Sequence, residues 1–402
     1  MNPVNLFFAC DNAYVPFLAV TLTSLKENCN PKRDYALRIL HTGLDPENIR
    51  RLTDSFASDG FTMEFIDITQ AVEQFADKLH TRDYYSKSTY YRLFIPDLFP
   101  GLDKALYLDS DVVLLGDVSE LYDVDLEDNL VGAIPDSVVG SIPALALYTK
   151  KRLRVAADHY FNAGVLLMNL DAMRKCDFLN VFLRLLQSVT FQIAQDQDYL
   201  NVICKNRVEY VGFEWNTMPC DVHTNAPKLI HYNLDFKPWH RDDVAFGDVF
   251  WDYAERSGYL EEIRKVREGY TEWHVARSAE ETTHLIAMGK KQARKRTANM
   301  LIRWKIRRVV NVWRISPNPR SGWPSWKRSP DTSGRGASTR TWKTIPQAAS
   351  CCRRRSSTRT DASPPSAGGR RPLGRRICIS GICGAKKRSS CAKPRGWSIW
   401  PG

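Results

Sequence analysis

Short apolar runs alternate with amphipathic stretches along residues 4–265 of this chain of 402 residues. The apolar runs predict strands at 4–10, 36–41, 63–68, 104–108, 112–115, 130–134, 164–168 and 228–232. Apolar residues at helical spacing predict helices over 17–27, 46–57, 171–186, 197–204 and 249–264. Strands that alternate with helices are typical of an α/β fold with a mostly parallel central sheet.

The pattern changes beyond residue 270. Residues 290–315 mix Lys and Arg with aliphatic residues and with Trp304 and Trp313, which indicates a basic amphipathic helical segment on a membrane surface, although an ordinary exposed helix also fits. From 316 onward the chain is rich in Arg, Ser, Pro and Gly and lacks periodicity, so it cannot bury enough apolar surface to offset its ordering entropy. We expect a folded domain at 1–270, the helical segment at 271–315, and a tail at 316–402 that is disordered or reflects an out-of-frame reading of the gene.

The distribution of charge also divides the chain, at about residue 290. Residues 290–402 carry 29 Lys and Arg against two acidic residues, whereas residues 1–289 carry 28 basic and 43 acidic ones. The basic segment 290–402 could contact anionic lipid or nucleic acid, and a nucleic-acid-binding protein is therefore one alternative function. The acidic character of residues 1–289 and the lack of interleaved aromatic residues in 340–396 argue against this alternative, and we expect no nucleic-acid partner.

Cysteine spacing and hydropathy indicate where in the cell the protein is expected. The ten cysteines show no spacing that indicates disulfides or a zinc site. No apolar run approaches the roughly 18 residues that cross a bilayer, and the first residues lack the basic region of a signal peptide. We expect a cytoplasmic protein that could attach peripherally to the inner face of the cell membrane.

Two carboxylates follow the apolar run at 104–108. Asp109 and Asp111 are separated by Ser110, and residues i and i+2 of an extended chain point to the same side. The carboxyl end of a strand is where open α/β sheets bind ligands, and paired carboxylates with substrate phosphates suit Mg²⁺ or Mn²⁺. A polar turn is the simpler explanation of such a pair, but its place after a strand favours a metal site.

Four segments occur in an order that resembles a known family. They are ALYLDSDVVLLGDVSELY, HYFNAGVLLMNL, QDQDYLN and IHYNLDFKPWH. Together they resemble glycosyltransferase family 8, retaining transferases that include bacterial lipopolysaccharide galactosyl- and glucosyltransferases and glycogenin. The resemblance covers about residues 4–265. It implies a GT-A type, Rossmann-like fold that binds a nucleotide sugar, and it makes 1–270 the catalytic domain.

The same resemblance assigns a metal site and its basic neighbours. Asp109 and Asp111 match the metal ligands, and His231 matches the third ligand. An imidazole suits Mn²⁺ better than Mg²⁺, although Mg²⁺ stays open. Lys237 is expected to neutralise the leaving diphosphate, and Arg92 to reach the diphosphate or the donor sugar.

The resemblance also assigns the donor pocket. Ala9, Asp11 and Tyr14 are expected to contact uracil and ribose, and Ser110 is placed with them in donor binding. The family pattern usually has Asn where Ala13 stands, so one polar contact is missing there. The group expected to hold the donor sugar and support catalysis comprises Asp136, Asn162, Asp196 and Gln197, because carboxylates and amides suit hydroxyl groups.

These residues imply transfer of glucose or galactose from UDP-glucose or UDP-galactose to a saccharide or lipid-linked glycan. Retention could proceed through a covalent intermediate on Asp196 or Gln197, or through front-face attack. Front-face attack is preferred because an amide such as Gln197 is a poor nucleophile. A sugar nucleotidyltransferase is a further alternative, but it would normally show a Gly-rich phosphate loop near 8–14, and none is present.

Overall fold

A computed structural model describes residues 2–75, 77, 79, 87–221, 224 and 226–314, with the backbone alone at 296–297 and 311–314. These residues belong to one compact unit, Met1–Pro346, and the second unit, Gln347–Gly402, lies outside them. The predicted tail at 316–402 therefore falls outside the described residues.

All eight predicted strands are present in the described residues, together with β8, which is too short and too polar to stand out in the sequence. The strands are β1 (Val4–Ala9), β2 (Tyr35–His41), β3 (Phe61–Asp67), β4 (Lys104–Leu108), β5 (Val112–Leu114), β6 (Val131–Pro135), β7 (Phe161–Asn169), β8 (Val208–Tyr210) and β9 (Leu229–His231).

Helices connect most of these strands. In the first half they are α1 (Val15–Asn28), α2 (Pro46–Phe56), α3 (Thr69–Glu73), α4 (Ile95–Leu98), α5 (Val118–Tyr122), α6 (Ser137–Ser141) and α7 (Pro143–Tyr148). The second half adds α8 (Leu170–Lys175), α9 (Phe178–Ser188), α10 (Gln195–Ile203), α11 (Gly247–Arg256), α12 (Leu260–Gly269), α13 (Glu272–Arg294) and α14 (Arg296–Arg314). Short 3₁₀ turns lie at Asn12–Tyr14, Lys87–Phe94, Ala157–His159 and Phe213–Trp215, and a π turn at Thr149–Leu153.

Two of the predicted helices are each divided into two. The predicted helix 171–186 is interrupted between α8 and α9 at Asp177, whose φ of 46° is left-handed. The predicted helix 249–264 is interrupted between α11 and α12 at Gly258, whose φ is 76°. A left-handed residue cannot continue a right-handed helix, and apolar periodicity does not report such a turn.

The main sheet is mixed but mostly parallel. In the described part of the chain its order is β3-β2-β1-β4-β7-β6-β8, and β5 pairs separately with β9. β1 runs parallel to both β2 and β4, whereas β7 runs antiparallel to β4 and β6. The carboxyl ends of β1 and β4 therefore meet the amino end of β7 at one edge of the sheet. That edge receives Asp11, Asp109 and Asn162.

Both faces of the sheet are covered, so the central strands are almost wholly apolar. In β1, Leu6 and Phe8 pack into one buried cluster, while Phe7 and Ala9 pack into the other. Alternation of side chains between two buried faces explains why this strand reads as a continuous apolar run.

The helical segment after residue 270 packs onto the rest of the described fold. Ile302, Ile306 and Val309 of α14 lie against the core, as do Leu285 and Met288 of α13. Met300, Leu301 and Trp304 are on the outside, with 61%, 53% and 54% of their surfaces exposed. Within the described ranges, no helix is both long enough and apolar enough to span a membrane.

Candidate active site

Asp109, Asp111 and His231 come together as predicted and are called the Asp–Asp–His cluster below. One ligand atom from each lies within 4.8 Å of the others. His231 Nε2 is 3.4 Å from Asp111 Oδ1 and 3.7 Å from Asp109 Oδ2. The pairing of β5 with β9 explains this meeting, because it sets Val112 opposite His231.

Hydrogen bonds orient the His231 imidazole towards the carboxylates. Asn216 Nδ2 donates to Asn162 Oδ1 at 3.0 Å, which turns Asn216 Oδ1 towards His231 Nδ1 at 2.9 Å. Nδ1 then carries a proton, and Nε2 is the ring atom that faces Asp109 and Asp111, where it can bind a cation once its own proton is lost. Metal-binding imidazoles are commonly held in this way through their other nitrogen.

Gly164 leaves the space in which the cluster sits. A Cβ at this position would lie 2.3 Å from His231 Cε1 and 2.6 Å from Asp109 Oδ2. The Gly164 carbonyl also accepts the Asp109 backbone N–H at 2.8 Å. Two carboxylates and an imidazole Nε2 form a donor set that suits Mn²⁺ and tolerates Mg²⁺, so these residues fit a divalent cation.

Lys237 places a buried positive charge beside the cluster. Its Nζ donates to Asp111 Oδ2 at 2.5 Å and to the Tyr232 carbonyl at 2.9 Å, and it is only 2% exposed. Burial alone would raise the pKa of Asp111, but Lys237 and His231 outweigh it and hold that pKa below its ordinary value. Asp111 therefore stays ionised.

Arg92 is the second buried cation. It donates to Asp109 Oδ1 at 2.9 Å and to the Ala163 carbonyl, and its Nε lies 3.4 Å from Asp196 Oδ2. Its guanidinium also stacks 4.3 Å from the centre of the Tyr107 ring. Burial would lower the pKa of Arg92, but Asp109 and its other neighbours raise it, so the charge persists.

An amide and carboxylate group lies next to the cluster. Asp136 Oδ2 accepts from Gln197 Nε2 at 2.9 Å and from Asn162 Nδ2 at 3.2 Å. Gln197 Oε1 accepts the Ala163 N–H at 2.9 Å. These bonds fix the orientation of both amides, and their remaining lone pairs and N–H groups can meet sugar hydroxyls.

Helix α10 carries two aspartates, Asp196 and Asp198, that differ in role. Burial raises the pKa of Asp196 to about 7, although Arg92 opposes the shift. Asp198 is fully buried and accepts the hydroxyls of Tyr148 and Tyr160 at 2.7 and 2.8 Å. Asp198 therefore ties α10 to α7 and to the start of β7.

Ala9, Asp11 and Tyr14, assigned to nucleotide and donor binding, lie at or just after the end of β1, and Ser110, assigned with them, follows β4. Asp11 Oδ1 accepts the backbone N–H groups of Ala13 and Tyr14, both at 3.1 Å, so it caps the turn that follows. Ser110 donates to the Ala9 carbonyl at 2.9 Å. The Tyr14 ring lies 5.7 Å from Lys237 Nζ.

All thirteen site residues predicted from the sequence line one cavity of about 180 Å³. The sequence reasoning missed several other residues that line it or support it, among them Tyr107, Gly164, Asn216, Leu234 and Leu285. Tyr107 could have been found, because it precedes Asp109 by two positions on one face of the strand and donates to it at 2.9 Å. Asn216 gave no signal, since only folding brings it to His231.

Comparisons with known proteins agree with this geometry. A model of Glycosyl transferase family 8 matches residues 5–243. The lipopolysaccharide 1,3-galactosyltransferase of Salmonella typhimurium is 25% identical over 257 residues, which is 59% of this chain and 73% of that protein. Among solved structures, the galactosyltransferase LgtC with donor and acceptor sugar analogues has a TM-score of 0.55 and 29% identity, and the match covers 63% of this chain and 96% of LgtC.

The bifunctional glycosyltransferase WbbM is 27% identical, with a TM-score of 0.56. The match covers 66% of this chain, which spans about half of WbbM (51%). The family match alone extends over more than half of the chain and contains every predicted site residue. This protein therefore belongs to glycosyl transferase family 8 and is a glycosyltransferase.

Proposed function

We propose that this protein transfers glucose or galactose from its UDP-sugar to a saccharide acceptor, with retention and with Mn²⁺ as the preferred cation. The observation that carries the proposal is the Asp–Asp–His cluster, flanked by the buried cations Lys237 and Arg92. A site of this kind suits a substrate that combines a diphosphate with a sugar.

Asp109, Asp111 and His231 would hold the cation. When bound, a divalent cation takes up charge that develops on a departing diphosphate. Lys237 and Arg92 add fixed positive charge that requires no reorganisation during the reaction, and this is the arrangement that favours departure of an anion.

The donor sugar is assigned to the group around Asp136, Asn162 and Gln197. Because Gln197 is bonded to Ala163 and Asp136, its amide is oriented as a hydrogen-bonding group. Asp196 is paired with Arg92, and its raised pKa of about 7 leaves it partly protonated near neutral pH, which weakens it as a nucleophile. Front-face attack is therefore the preferred route to retention. Ala9, Asp11, Tyr14 and Ser110 would receive the nucleoside.

The proposed setting is cell-surface glycan synthesis at the inner face of the membrane. The Salmonella relative acts on lipopolysaccharide, as its name states. Exposed Met300, Leu301 and Trp304 on the basic helix α14 offer an apolar surface to anionic lipid. The acceptor would then be a lipopolysaccharide or another lipid-linked glycan.

Release of UDP from UDP-glucose and UDP-galactose, with and without Mn²⁺, tests this proposal. We expect release with one donor, loss of release on chelation, and recovery when Mn²⁺ is restored. Asp111→Asn should lower the rate by at least about 100-fold without unfolding the protein. Asp59→Asn, at an exposed position away from the cavity, should behave as the unchanged protein. Full activity of Asp111→Asn with restored Mn²⁺ would contradict the metal assignment.

A further inference from the structure

Two chemically different sets of residues line the cavity. One comprises the Asp–Asp–His cluster, its basic neighbours and the amide group. The other set is aliphatic and is called the apolar wall below; its members are Val138, Val139, Leu145, Ile193, Leu234 and Leu285. The proposed function assigns the polar set to the diphosphate and the donor sugar, so the apolar wall is available to the acceptor.

Helix α13 contributes to this wall from beyond the region that the family model matches. That match ends at residue 243, whereas Leu285 lies on α13. The helix approaches α7 so closely that a Cβ at Gly289 would lie 2.8 Å from Leu145 Cδ2. Gln292 Nε2 donates to Gln192 Oε1 at 2.8 Å, and Ser278 donates to Asp235, so both halves of the helix are anchored. Leu285 is therefore held in place at the cavity.

Leu234 joins the wall from the loop that carries Lys237. Its φ of 53° lies in the left-handed region, which disfavours every residue with a Cβ and is the usual place of glycine. A leucine held in this conformation carries a backbone cost that glycine would avoid, and it adds an aliphatic group to the cavity lining. Two separate elements, α13 and the loop after β9, thus supply bulky aliphatic groups to the cavity.

We propose that the apolar wall selects an acceptor sugar that carries an aliphatic group. A hydroxyl buried against these side chains would lose its hydrogen bonds to water, whereas an alkyl group gains from leaving water. The group could be the chain of a lipid-linked sugar or the methyl of a 6-deoxy sugar. This inference rests on the proposed function and adds the class of acceptor to it.

The first experiment compares acceptors that differ in one group. Galactose, 6-deoxygalactose and octyl galactoside are tested with Mn²⁺ and the active UDP-sugar, together with the corresponding glucose series. We expect kcat/KM for the aliphatic member of at least one series to exceed that for the free hexose by about tenfold. The preferred member distinguishes a lipid chain from a deoxy sugar.

Substitutions then test the wall itself. Leu285→Ala and Leu234→Gly should each reduce the ratio of kcat/KM for the aliphatic acceptor to that for the free hexose by about tenfold. Leu234→Gly should also leave the thermal midpoint unchanged or raise it, because glycine accepts the left-handed backbone. Ile286→Ala, at the next position on α13 and outside the cavity lining, should leave the ratio unchanged.

Two outcomes would overturn the inference. One is that aliphatic acceptors react no better than free hexoses, or do not react at all, while the UDP-sugar is still hydrolysed to UDP. The other is that Leu285→Ala and Ile286→Ala change the ratio equally. Neither outcome contradicts the proposed function. The proposed function fails separately, if no UDP-sugar is cleaved under any condition.

Discussion

Lys237 Nζ and Asp111 Oδ2 lie 2.5 Å apart, although 126 positions separate the two residues in the sequence. The bond joins the loop after β9 to the short segment between β4 and β5. Both partners are nearly buried, so the pair keeps one positive charge beside two carboxylates and an imidazole. This relationship sets the electrostatics of the cavity.

Gly164→Ala should inactivate the enzyme by displacing the Asp–Asp–His cluster. The added Cβ would meet His231 Cε1 and Asp109 Oδ2 well inside contact distance, so at least one of them must move. We expect a loss of at least about 100-fold in kcat, measured by UDP release. Gly140→Ala is the matched control, since open space surrounds that position. Equal activity of the two variants would show that the cluster does not need its observed geometry.

Asn216→Ala should weaken metal binding rather than remove catalysis. Without Asn216 the His231 imidazole loses the acceptor that keeps the Nδ1 proton in place. We expect the Mn²⁺ concentration for half-maximal activity to rise about 10- to 100-fold, with activity recovered at high Mn²⁺. Asn216→Asp retains the acceptor oxygen for His231 but loses the N–H donated to Asn162, so it should recover only part of the Mn²⁺ affinity. A fall in kcat that Mn²⁺ does not restore would argue against this role.

Asp198 should make the protein less stable as pH rises from about 4 to about 6. Burial raises the pKa of this carboxyl from 3.8 to about 6, even though Tyr148 and Tyr160 oppose the shift. Between these values the folded protein binds a proton that the unfolded chain has released, so stability falls with rising pH and levels off above about 6.

Asp198→Asn cannot ionise, and relative to the unchanged protein it should gain up to about 3 kcal/mol in free energy of unfolding over this interval. Urea unfolding of both proteins between pH 4 and 7 measures the difference. Parallel pH curves would mean that Asp198 titrates normally or keeps one protonation state throughout.

The exposed apolar surface of α14 should support attachment to anionic membranes. Leu301→Ser with Trp304→Ser should reduce binding to vesicles that contain phosphatidylglycerol by about tenfold, measured by co-sedimentation. Trp273→Ser is the matched control: Trp273 is 61% exposed on α13, with Arg277 5.3 Å from its ring, as Arg308 is from Trp304. If the control loses as much binding, α14 has no special part in attachment.

Local sequence was sufficient to place the parts of the site that follow from strand geometry. Asp109 and Asp111 share a side because they are two positions apart in an extended segment, and Asp11 lies at the same edge because β1 and β4 are parallel neighbours. His231, Lys237 and the amide group were placed through motifs that resemble a family. The later confirmation that they line one cavity rests on the fold.

The sequence by itself determined every strand except β8, most helix positions and the paired carboxylates, because these depend on residues close together in the chain. Tertiary structure alone decided that Asn216 holds His231, that Gly164 must lack a side chain, and that α13 brings Leu285 to the cavity. It also decided which apolar residues of α14 face the core. Periodicity shows that a helix has an apolar side, but the neighbour that covers this side is set by the path of the whole chain.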